Sequence, residues 1–414
     1  MARRRMVVFR MLTAIPVVAL LAAAVPPSAA SAEDLAPLLG TSGPDVIAGQ
    51  YLVVLDAAAG IDAVTSVSAA ARSAGGTVHH TYGAALHGFS AGLTPDALAA
   101  VRADDRVAYV EADSWVRLPG GENGAREDAP SQAPDTGQAG PVWNLDRIDQ
   151  RRLPLDGTYA PRRRGAGVTA YVLDTGIWFT HPEFEDRSRS GYDFVDNDQN
   201  ALDCNGHGTH VAGSLVGQKY GVANAAEVVA LRVAGCDGSG PNSVVIAGVD
   251  WVTENADRPA VVNVSLGAGP SRALDDAIKA SIADGLPYAI AAGNESQSAC
   301  TRSPARVKSA MTVGGTDKSD RQWNRSNFGP CLDLYAPGVL IRSAFPADTG
   351  ITNTATGTSF AAPHVAGTAA IYLAAHPGAS PKQVRNAVVN GVSAGELTQL
   401  GPNSPNKLVY VDIG

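Results

Sequence analysis

The chain has 414 residues, with 32 basic and 40 acidic side chains, four cysteines and a hydrophobic share of 45%. This length predicts two or three domains with a large core, and the net charge of −8 argues against nucleic acid as a main partner, since no basic excess can displace counterions from phosphate. The 44 glycines and 26 prolines follow no collagen-like repeat and favour a loop-rich globular protein.

The first 32 residues have the three parts of a secretory signal peptide. Arginines at positions 3, 4, 5 and 10 form a basic head, an apolar stretch runs from residue 11 to about residue 25, and small residues fill positions 29–32. The apolar run is shorter than the ~20 residues that span a bilayer, which disfavours the alternative of a membrane anchor. We expect cleavage after Ala30 or Ala32, secretion to the extracellular space without membrane association, and conditions that permit disulfides.

Residues 46–118 have the pattern of a small α+β unit. Strand and helix signals alternate in the order βαββαβ, which is the ferredoxin-like pattern. The predicted elements are a strand at 50–55, a helix at 61–73, a hairpin within 79–93, a helix at 94–102 and a strand at 107–116. Residues 119–141 are rich in Pro, Gly and acidic residues and are predicted to form a disordered, protease-accessible linker.

The remaining residues, 142–414, alternate buried strands with helical stretches. This alternation predicts an α/β domain, with a doubly wound, mostly parallel sheet covered by helices on both faces. In such sheets functional groups gather beyond the carboxyl ends of the strands.

Three short segments of this domain carry residue types suited to catalysis. An apolar strand ends at Asp174, His207 stands between glycines at a predicted helix start, and Ser359 lies at the N-terminal end of an Ala-rich helix. Each has a plain alternative: a turn-capping Asp, a zinc-binding pair of His207 with His210, or an N-cap Ser. The i, i+3 spacing of the two histidines, without a Glu-x-x-His pattern, disfavours zinc.

The chain order Asp, His, Ser distinguishes between the known triad arrangements. α/β-hydrolases, including esterases and lipases, run Ser, Asp, His and need Gly-x-Ser-x-Gly, whereas this chain has Gly-Thr-Ser-Phe-Ala around Ser359. The chymotrypsin order is His, Asp, Ser. Together the three motifs resemble those of the subtilisin-like serine proteases, in the branch of proteinase K and the aqualysin-type enzymes. The resemblance covers about 142–414, and residues 46–118 resemble the inhibitor-like propeptide of that family.

The resemblance implies further roles by motif. Asn294 follows Ala-Ala-Gly and is similar to the asparagine that stabilises the oxyanion, although Gly-Asn is also ordinary turn chemistry. Two segments resemble the strands that hold the substrate backbone: Gly238, Ser239 and Gly240, and Ser265, Leu266 and Gly267. The first specificity pocket would be walled by Leu266, Ala291, Ala292 and Gly293, which are uncharged and imply a broad preference for apolar or aromatic residues before the cut.

The cysteines and several acidic residues are candidates for disulfides and for calcium binding. Four cysteines allow three pairings, and the resemblance implies Cys204 with Cys236 and Cys300 with Cys331. It also implies structural Ca²⁺, a cation that binds oxygen ligands, although a solvated acidic face is the alternative reading. The candidate ligands form three groups: Asp146, Asp149, Gln150 and Asp156; Asp193 and Asp198; and Asp333 with the carbonyls of Lys308 and Ala310. No cofactor is expected for catalysis.

The resemblance therefore implies a secreted serine endopeptidase made as a zymogen. We expect polypeptide substrates, inhibition by the chain's own propeptide, self-processing within 119–141, and a monomer that binds neither nucleic acid nor membrane. The alternative is a secreted peptide-binding protein that keeps a protease fold without catalysis.

Overall fold

The computed structural model describes residues 35–118, 133–134 and 140–413. The predicted signal peptide and most of the predicted linker lie outside these residues. The N-terminal unit contains β1 (Leu38–Leu39), β2 (Val46–Leu55), α1 (Gly60–Ser73), β3 (Thr77–Tyr82), β4 (Gly88–Gly92), α2 (Pro95–Arg102) and β5 (Val107–Arg117).

The larger unit continues from there in chain order. Its elements are β6 (Ala133–Pro134), α3 (Trp143–Ile148), β7 (Thr169–Asp174), β8 (Ser188–Asp193), α4 (His207–Val216), β9 (Glu227–Arg232), β10 (Ser239–Pro241), α5 (Asn242–Asn255), β11 (Ala260–Val264), α6 (Arg272–Ala283), β12 (Tyr288–Ala291), a short 3₁₀ helix (Ala299–Thr301), β13 (Met311–Thr316), β14 (Leu334–Pro337), β15 (Ile341–Ala344), β16 (Ile351–Ala355), α7 (Thr358–Ala375), α8 (Pro381–Asn390), β17 (Ser393–Ala394) and β18 (Lys407–Leu408).

The sheet of the N-terminal unit, in the order β1-β5-β2-β4-β3, contributes residues to an apolar core on each of its faces. Along β2, Val53 and Leu55 point into a core shared with α1 and α2, whereas Leu52 and Val54 pack into a core shared with α5 and α6 of the larger unit. Successive side chains of a strand point to opposite faces, so this run of apolar residues gives β2 two apolar faces. The predicted ferredoxin-like order of elements is confirmed, and the unit docks through its sheet.

The larger unit is built on a nine-stranded sheet in the order β17-β18-β14-β13-β12-β11-β7-β9-β8. All neighbouring pairs are parallel except β17–β18. In β7, Ala170 and Val172 face the core under α4, α7 and α8, and Tyr171 and Leu173 face the core under α5 and α6. The predicted doubly wound α/β fold is confirmed.

The long helix α7 runs through the middle of one core and lies against four neighbouring strands, β11 to β14. Small residues allow this close packing: a Cβ added at Gly367 would lie 2.6 Å from the Cβ of Val222. Because the helix starts at Thr358, beside the ends of these strands, it fixes the position of Ser359 in its first turn.

Two further features tie surface segments to this framework. Disulfides join Cys204 to Cys236 and Cys300 to Cys331, and loops of this size correspond to about 3–4 kcal/mol of stabilisation on the chain-entropy estimate. Ala133–Pro134, inside the segment predicted as disordered, pairs with β16.

Within the described ranges, no helix has the length and apolar character needed to cross a bilayer.

Candidate active site

The site forms where three adjacent parallel strands end. Asp174 is the last residue of β7, Ser265 directly follows β11, and Asn294 comes three residues after β12. Since β12, β11 and β7 are neighbours in the sheet, their carboxyl ends bring these residues to one edge. The starts of α4 and α7 complete the edge with His207 and Ser359.

An ion-pair geometry joins the acid and the imidazole. The His207 Nδ1 donates to Asp174 Oδ1 at 2.7 Å, and the Thr175 backbone N–H donates to the same oxygen at 2.8 Å. Asp174 is fully buried, whereas the His207 side chain keeps 9% of its surface exposed. Gly206 precedes the helix with φ 108°, a conformation that disfavours residues with a Cβ. This arrangement leaves the Nε2 of His207 as the basic nitrogen.

A second buried carboxylate, Asp203, fixes this pair in place. Its oxygens accept from the Thr175 hydroxyl at 2.9 Å and from the Gly206 N–H at 2.8 Å, and the Thr209 N–H donates at 2.9 Å. Burial raises the pKa of Asp203. Asp203 is not among the candidate residues of the sequence analysis; Thr175, next to Asp174, and Thr209, two residues after His207, are the available signal. Asp203 therefore connects the end of β7 to the start of α4.

Ser359 is held by reciprocal hydrogen bonds with Ser265. The Ser359 hydroxyl donates to the Ser265 carbonyl at 3.1 Å, and the Ser265 hydroxyl donates to the Ser359 carbonyl at 2.8 Å. The second bond is possible because Pro363, four residues further along α7, has no N–H to donate to that carbonyl. A proline inside the helix thus attaches the Ser359 backbone to the end of β11.

The Asn294 side chain is oriented by the residue before Ser359. Its Oδ1 accepts from the Thr358 N–H at 3.0 Å and from the Thr358 hydroxyl at 2.7 Å. The amide nitrogen therefore lies on the other side, near Gly357, where an added Cβ would come within 3.2 Å of it. This places an N–H donor beside the start of α7.

Two other histidines near the site are structural. Burial lowers the pKa of His210 to about 3 and the pKa of His364 to about 4. The His210 Nε2 donates to the Ile341 carbonyl at 3.0 Å, and the His364 Nδ1 donates to the Phe360 carbonyl at 2.8 Å. His210, bonded to a backbone carbonyl, is not arranged to share a zinc ion with His207.

The end of β5 occupies the cleft between the two predicted substrate segments. Arg117 and Gly267 exchange N–H to carbonyl bonds of 3.1 and 3.2 Å, and the Leu118 N–H donates to the Gly238 carbonyl at 3.0 Å. β5 also pairs in antiparallel register with Ser239 and Gly240, the two residues that follow Gly238. Gly238, Ser239, Gly240 and Gly267 are thus brought together around one extended segment.

The remaining predicted substrate-binding residues lie at the ends of two strands of the large sheet. Ser265, Leu266, Ala291, Ala292 and Gly293 are all buried at the ends of β11 and β12.

The family comparisons agree with this geometry. The profile described as "Subtilase family" matches residues 165–408, more than half of the chain. The chain belongs to the subtilase family. The profile "Peptidase inhibitor I9" matches residues 50–119, so this subtilase is a serine endopeptidase made with an inhibitor propeptide.

Individual relatives cover both units. The subtilase is 45% identical over 403 residues to the "Extracellular serine proteinase" of a Thermus species, covering 93% of this chain and 94% of that one. It is 48% identical over 333 residues to "Alkaline serine exoprotease A" of Vibrio alginolyticus, covering 80% of this chain and 60% of that one. A crystal structure of a cold adapted subtilisin-like serine proteinase is 50% identical, with a TM-score of 0.65, and covers 66% of this chain and 99% of that one.

Three carboxylates hold the propeptide of the subtilase on its catalytic domain. Asp250 accepts backbone N–H groups of residues 83–86. Glu111 accepts the N–H groups of Arg272 and Ala273 at the start of α6, and Asp113 accepts the Ser243 N–H and hydroxyl at the start of α5. All three carboxylates bind backbone N–H groups, and those bound by Glu111 and Asp113 lie at helix starts, which favour negative charge.

One predicted calcium group retains an unused ligand atom. Asp146 and Gln150 both accept the Asp156 N–H, at 3.2 and 3.1 Å, and Asp149 Oδ2 accepts the Ala160 N–H at 2.8 Å. Asp149 Oδ1 is buried without a partner among the described residues. Burial raises the pKa of Asp149 to about 6, and Asp156 and Asp146 add to the rise. No group of three acidic, His or Cys side chains in the described ranges surrounds one point, so this cluster offers a cation one unused buried oxygen beside other carboxylates.

In the other two predicted calcium groups, an arginine already forms an ion pair with one aspartate of each group. Asp193 Oδ2 lies 2.6 Å from Arg232 Nη1, and Asp198 is exposed and joined to Asp193 only by backbone bonds.

Asp333 forms an ion pair with Arg385, whose Nε also donates to the Ala310 carbonyl at 3.0 Å. The guanidinium thus takes oxygens that were assigned to Ca²⁺, and Lys308 is exposed beside them.

We predict that acid destabilises the subtilase through His210 and His364. Both stay neutral in the native state because burial lowers their pKa values to about 3 and about 4, whereas the unfolded chain takes up protons as the pH falls through about 6.5. Their contribution to stability is complete above that pH and decreases by about 2 kcal/mol per histidine between pH 6.5 and 5.

The measurement is denaturant unfolding of an uncleaved Ser359→Ala protein at several pH values. His364→Gln, which keeps one donor and one acceptor, should reduce the pH dependence by about half, whereas His376→Gln, at an exposed position, should leave it unchanged. Equal slopes in all three proteins would contradict the assignment.

Proposed function

We propose that Asp174, His207 and Ser359 form the catalytic triad of a secreted endopeptidase that matures by cutting its own chain. The observation that carries this proposal is the 2.7 Å bond from His207 Nδ1 to Asp174 at the strand edge where Ser359 lies in the first turn of α7. Secretion is supported by the signal-like N-terminus and by the extracellular relative.

The proposed chemistry gives each of these groups one role. The Ser359 hydroxyl attacks the peptide carbonyl, and its proton passes to His207 Nε2, while Asp174 orients the imidazole and stabilises its charge. The oxyanion receives the Ser359 N–H and the Asn294 amide. His207 then protonates the leaving amine, and the acyl-enzyme is hydrolysed by water activated on the same nitrogen. This sequence needs no metal or other cofactor.

The proposed specificity rests on the cleft walls. Backbone groups of Gly238 and Gly267 bind the substrate main chain, which makes binding largely independent of sequence. Leu266 and residues 291–293 carry no charge, so an apolar or aromatic side chain before the cut would be accepted best.

The maturation cut is expected within residues 119–132. Leu118, the last residue of the unit predicted at 46–118, lies in the cleft, where its N–H donates to the Gly238 carbonyl. On the other side, Ala133–Pro134 pairs with β16 of the catalytic domain and would stay with the mature enzyme. After the cut, the unit at 46–118 would inhibit until it is degraded, because its last strand occupies the place of a substrate.

We predict that Asn294→Ala lowers kcat by about 10²–10³ with little change in KM, because the lost donor acts mainly in the transition state. Hydrolysis of a chromogenic peptide by the mature variant measures both constants. Asn255→Ala, an exposed asparagine at the end of α5, is the matched control and should keep wild-type values. A similar loss in both variants would refute the oxyanion role.

A Ser359→Ala precursor should accumulate uncleaved, because maturation needs its own nucleophile. The experiment is expression in a protease-deficient host, with masses of the products measured. Added wild-type mature enzyme should process the variant in trans, which checks that the cut site is accessible. Processing of the variant without added enzyme would refute self-maturation.

We also propose that Asp146, Asp149, Gln150 and Asp156 bind a structural Ca²⁺. The free Oδ1 of Asp149 and the proximity of three carboxylates support this, since Ca²⁺ takes oxygen ligands and would neutralise their repulsion. A bound cation would connect α3 to the loop that follows it.

For the mature enzyme, Ca²⁺ in hundredfold excess over its Kd should add about 2.7 kcal/mol of stability. Asp149→Asn should lose most of this gain, as seen in the thermal unfolding midpoint with Ca²⁺ and with chelator. Glu254→Gln removes one exposed negative charge elsewhere and should keep the full gain. A gain that persists in Asp149→Asn would exclude this group as the site.

A further inference from the structure

We propose that the substrate cleft of the mature enzyme extends to the start of α5, where Asn242 and Ser243 form a subsite for an Asp-Ser pair in the substrate. In the bound substrate, the serine would take the place of Ser114 and the aspartate the place of Asp113. These positions lie two and three residues before the one at the place of Val116. This inference rests on the proposed endopeptidase function and concerns which polypeptides the same cleft prefers.

The strand register brings this subsite into line with the cleft. β5 and β10 pair Arg117 with Ser239, Val116 with Gly240 and Trp115 with Pro241. Continuing this antiparallel register places Ser114 opposite Asn242, the first residue of α5. At this point the enzyme strand becomes a helix, so recognition passes from backbone groups to side chains and helix N–H groups.

The side-chain contacts at this position are specific. The Asn242 amide nitrogen donates to the Ser114 hydroxyl at 2.8 Å. The Ser243 hydroxyl donates to one Asp113 oxygen at 2.6 Å, and the Ser243 N–H donates to the other at 3.2 Å. Asn242 is fully buried and Asp113 is 3% exposed. Two adjacent enzyme residues therefore bind two adjacent residues of the segment in the cleft.

The start of α5 depends on this external partner. Pro241, the residue before the helix, has no side-chain acceptor, and the first turn carries no acidic residue. Asp113 acts as the missing cap, satisfying helix N–H groups that would otherwise lack an acceptor. Asn242 Oδ1 is also buried without a partner among the described residues. The amide nitrogen of the same side chain is the atom that binds Ser114.

Removal of the propeptide takes this cap away. The Ser243 and Asn242 donors then face the open cleft, and a substrate with Asp-Ser at these positions can bind them as Asp113 and Ser114 do. An Ala-Ala pair has no side-chain acceptor, so the Asn242 and Ser243 donors remain hydrogen-bonded to water. The two interactions act far from the bond that is cut and should lower KM more than they change kcat.

The test compares two chromogenic peptides with the mature enzyme. Both contain Trp-Val-Arg-Leu-Phe before the leaving group; one is preceded by Asp-Ser and the other by Ala-Ala. The expected ratio of kcat/KM is about five- to tenfold in favour of Asp-Ser, the scale of one or two net hydrogen bonds. Replacing Asp by Asn in the peptide should lose part of this preference, since the carboxylate binds the helix start more strongly.

Enzyme variants locate the effect within the subsite. Ser243→Ala should reduce the peptide ratio mainly through the Asp position, and Asn242→Ala through the Ser position. Asn255→Ala, at the opposite end of α5, is the matched control and should keep the wild-type ratio. Because each ratio is taken within one protein, a general loss of activity in a variant cancels.

The outcomes separate this inference from the proposed function. Hydrolysis of both peptides at equal kcat/KM by the wild-type enzyme would overturn the subsite and leave the endopeptidase intact. Hydrolysis of neither peptide would contradict the endopeptidase function itself. The wild-type comparison needs no substitution in the enzyme, so misfolding of a variant cannot obscure the result.

Discussion

The parallel order of β7, β11 and β12 is the constraint on which the rest of the site depends. Each strand is short and buried, and each ends at the same edge, so the pairing of the strands brings Asp174, Ser265 and Asn294 together. Helix α7 can then bond to two of these residues at once. Its first turn bonds to Asn294 through Thr358 and to Ser265 through Ser359.

A second theme is the use of carboxylates as acceptors for backbone N–H groups instead of partners for cations. Asp203 does this inside the catalytic domain, and Asp250, Glu111 and Asp113 do it across the propeptide interface. Such contacts depend on backbone conformation, so they are lost together when either unit unfolds. The propeptide therefore recognises the folded enzyme by its helix starts and strand edges.

Much of this was predictable from the sequence, for identifiable reasons. The fold class follows from hydrophobic periodicity, and the family follows from three ordered motifs, each of which is local in sequence. Asp203 was not recognised because its role depends on Thr175, 28 residues earlier. The ion pair of Asp333 with Arg385 was not predicted because the arginine lies 52 residues later in the chain. The two residues of β6 are too few to show any period.

The disulfide between Cys204 and Cys236 has a consequence for the timing of activity. Cys204 lies three residues before His207, and Cys236 lies two residues before Gly238. One covalent bond thus ties the start of α4, where His207 lies, to the strand that pairs with β5, and the Asn205 amide, which donates to the Cys236 carbonyl at 2.8 Å, reinforces it. Without the disulfide, these two segments would be held together only by noncovalent contacts. This part of the cleft therefore reaches its full rigidity only where oxidising conditions allow the disulfide to form.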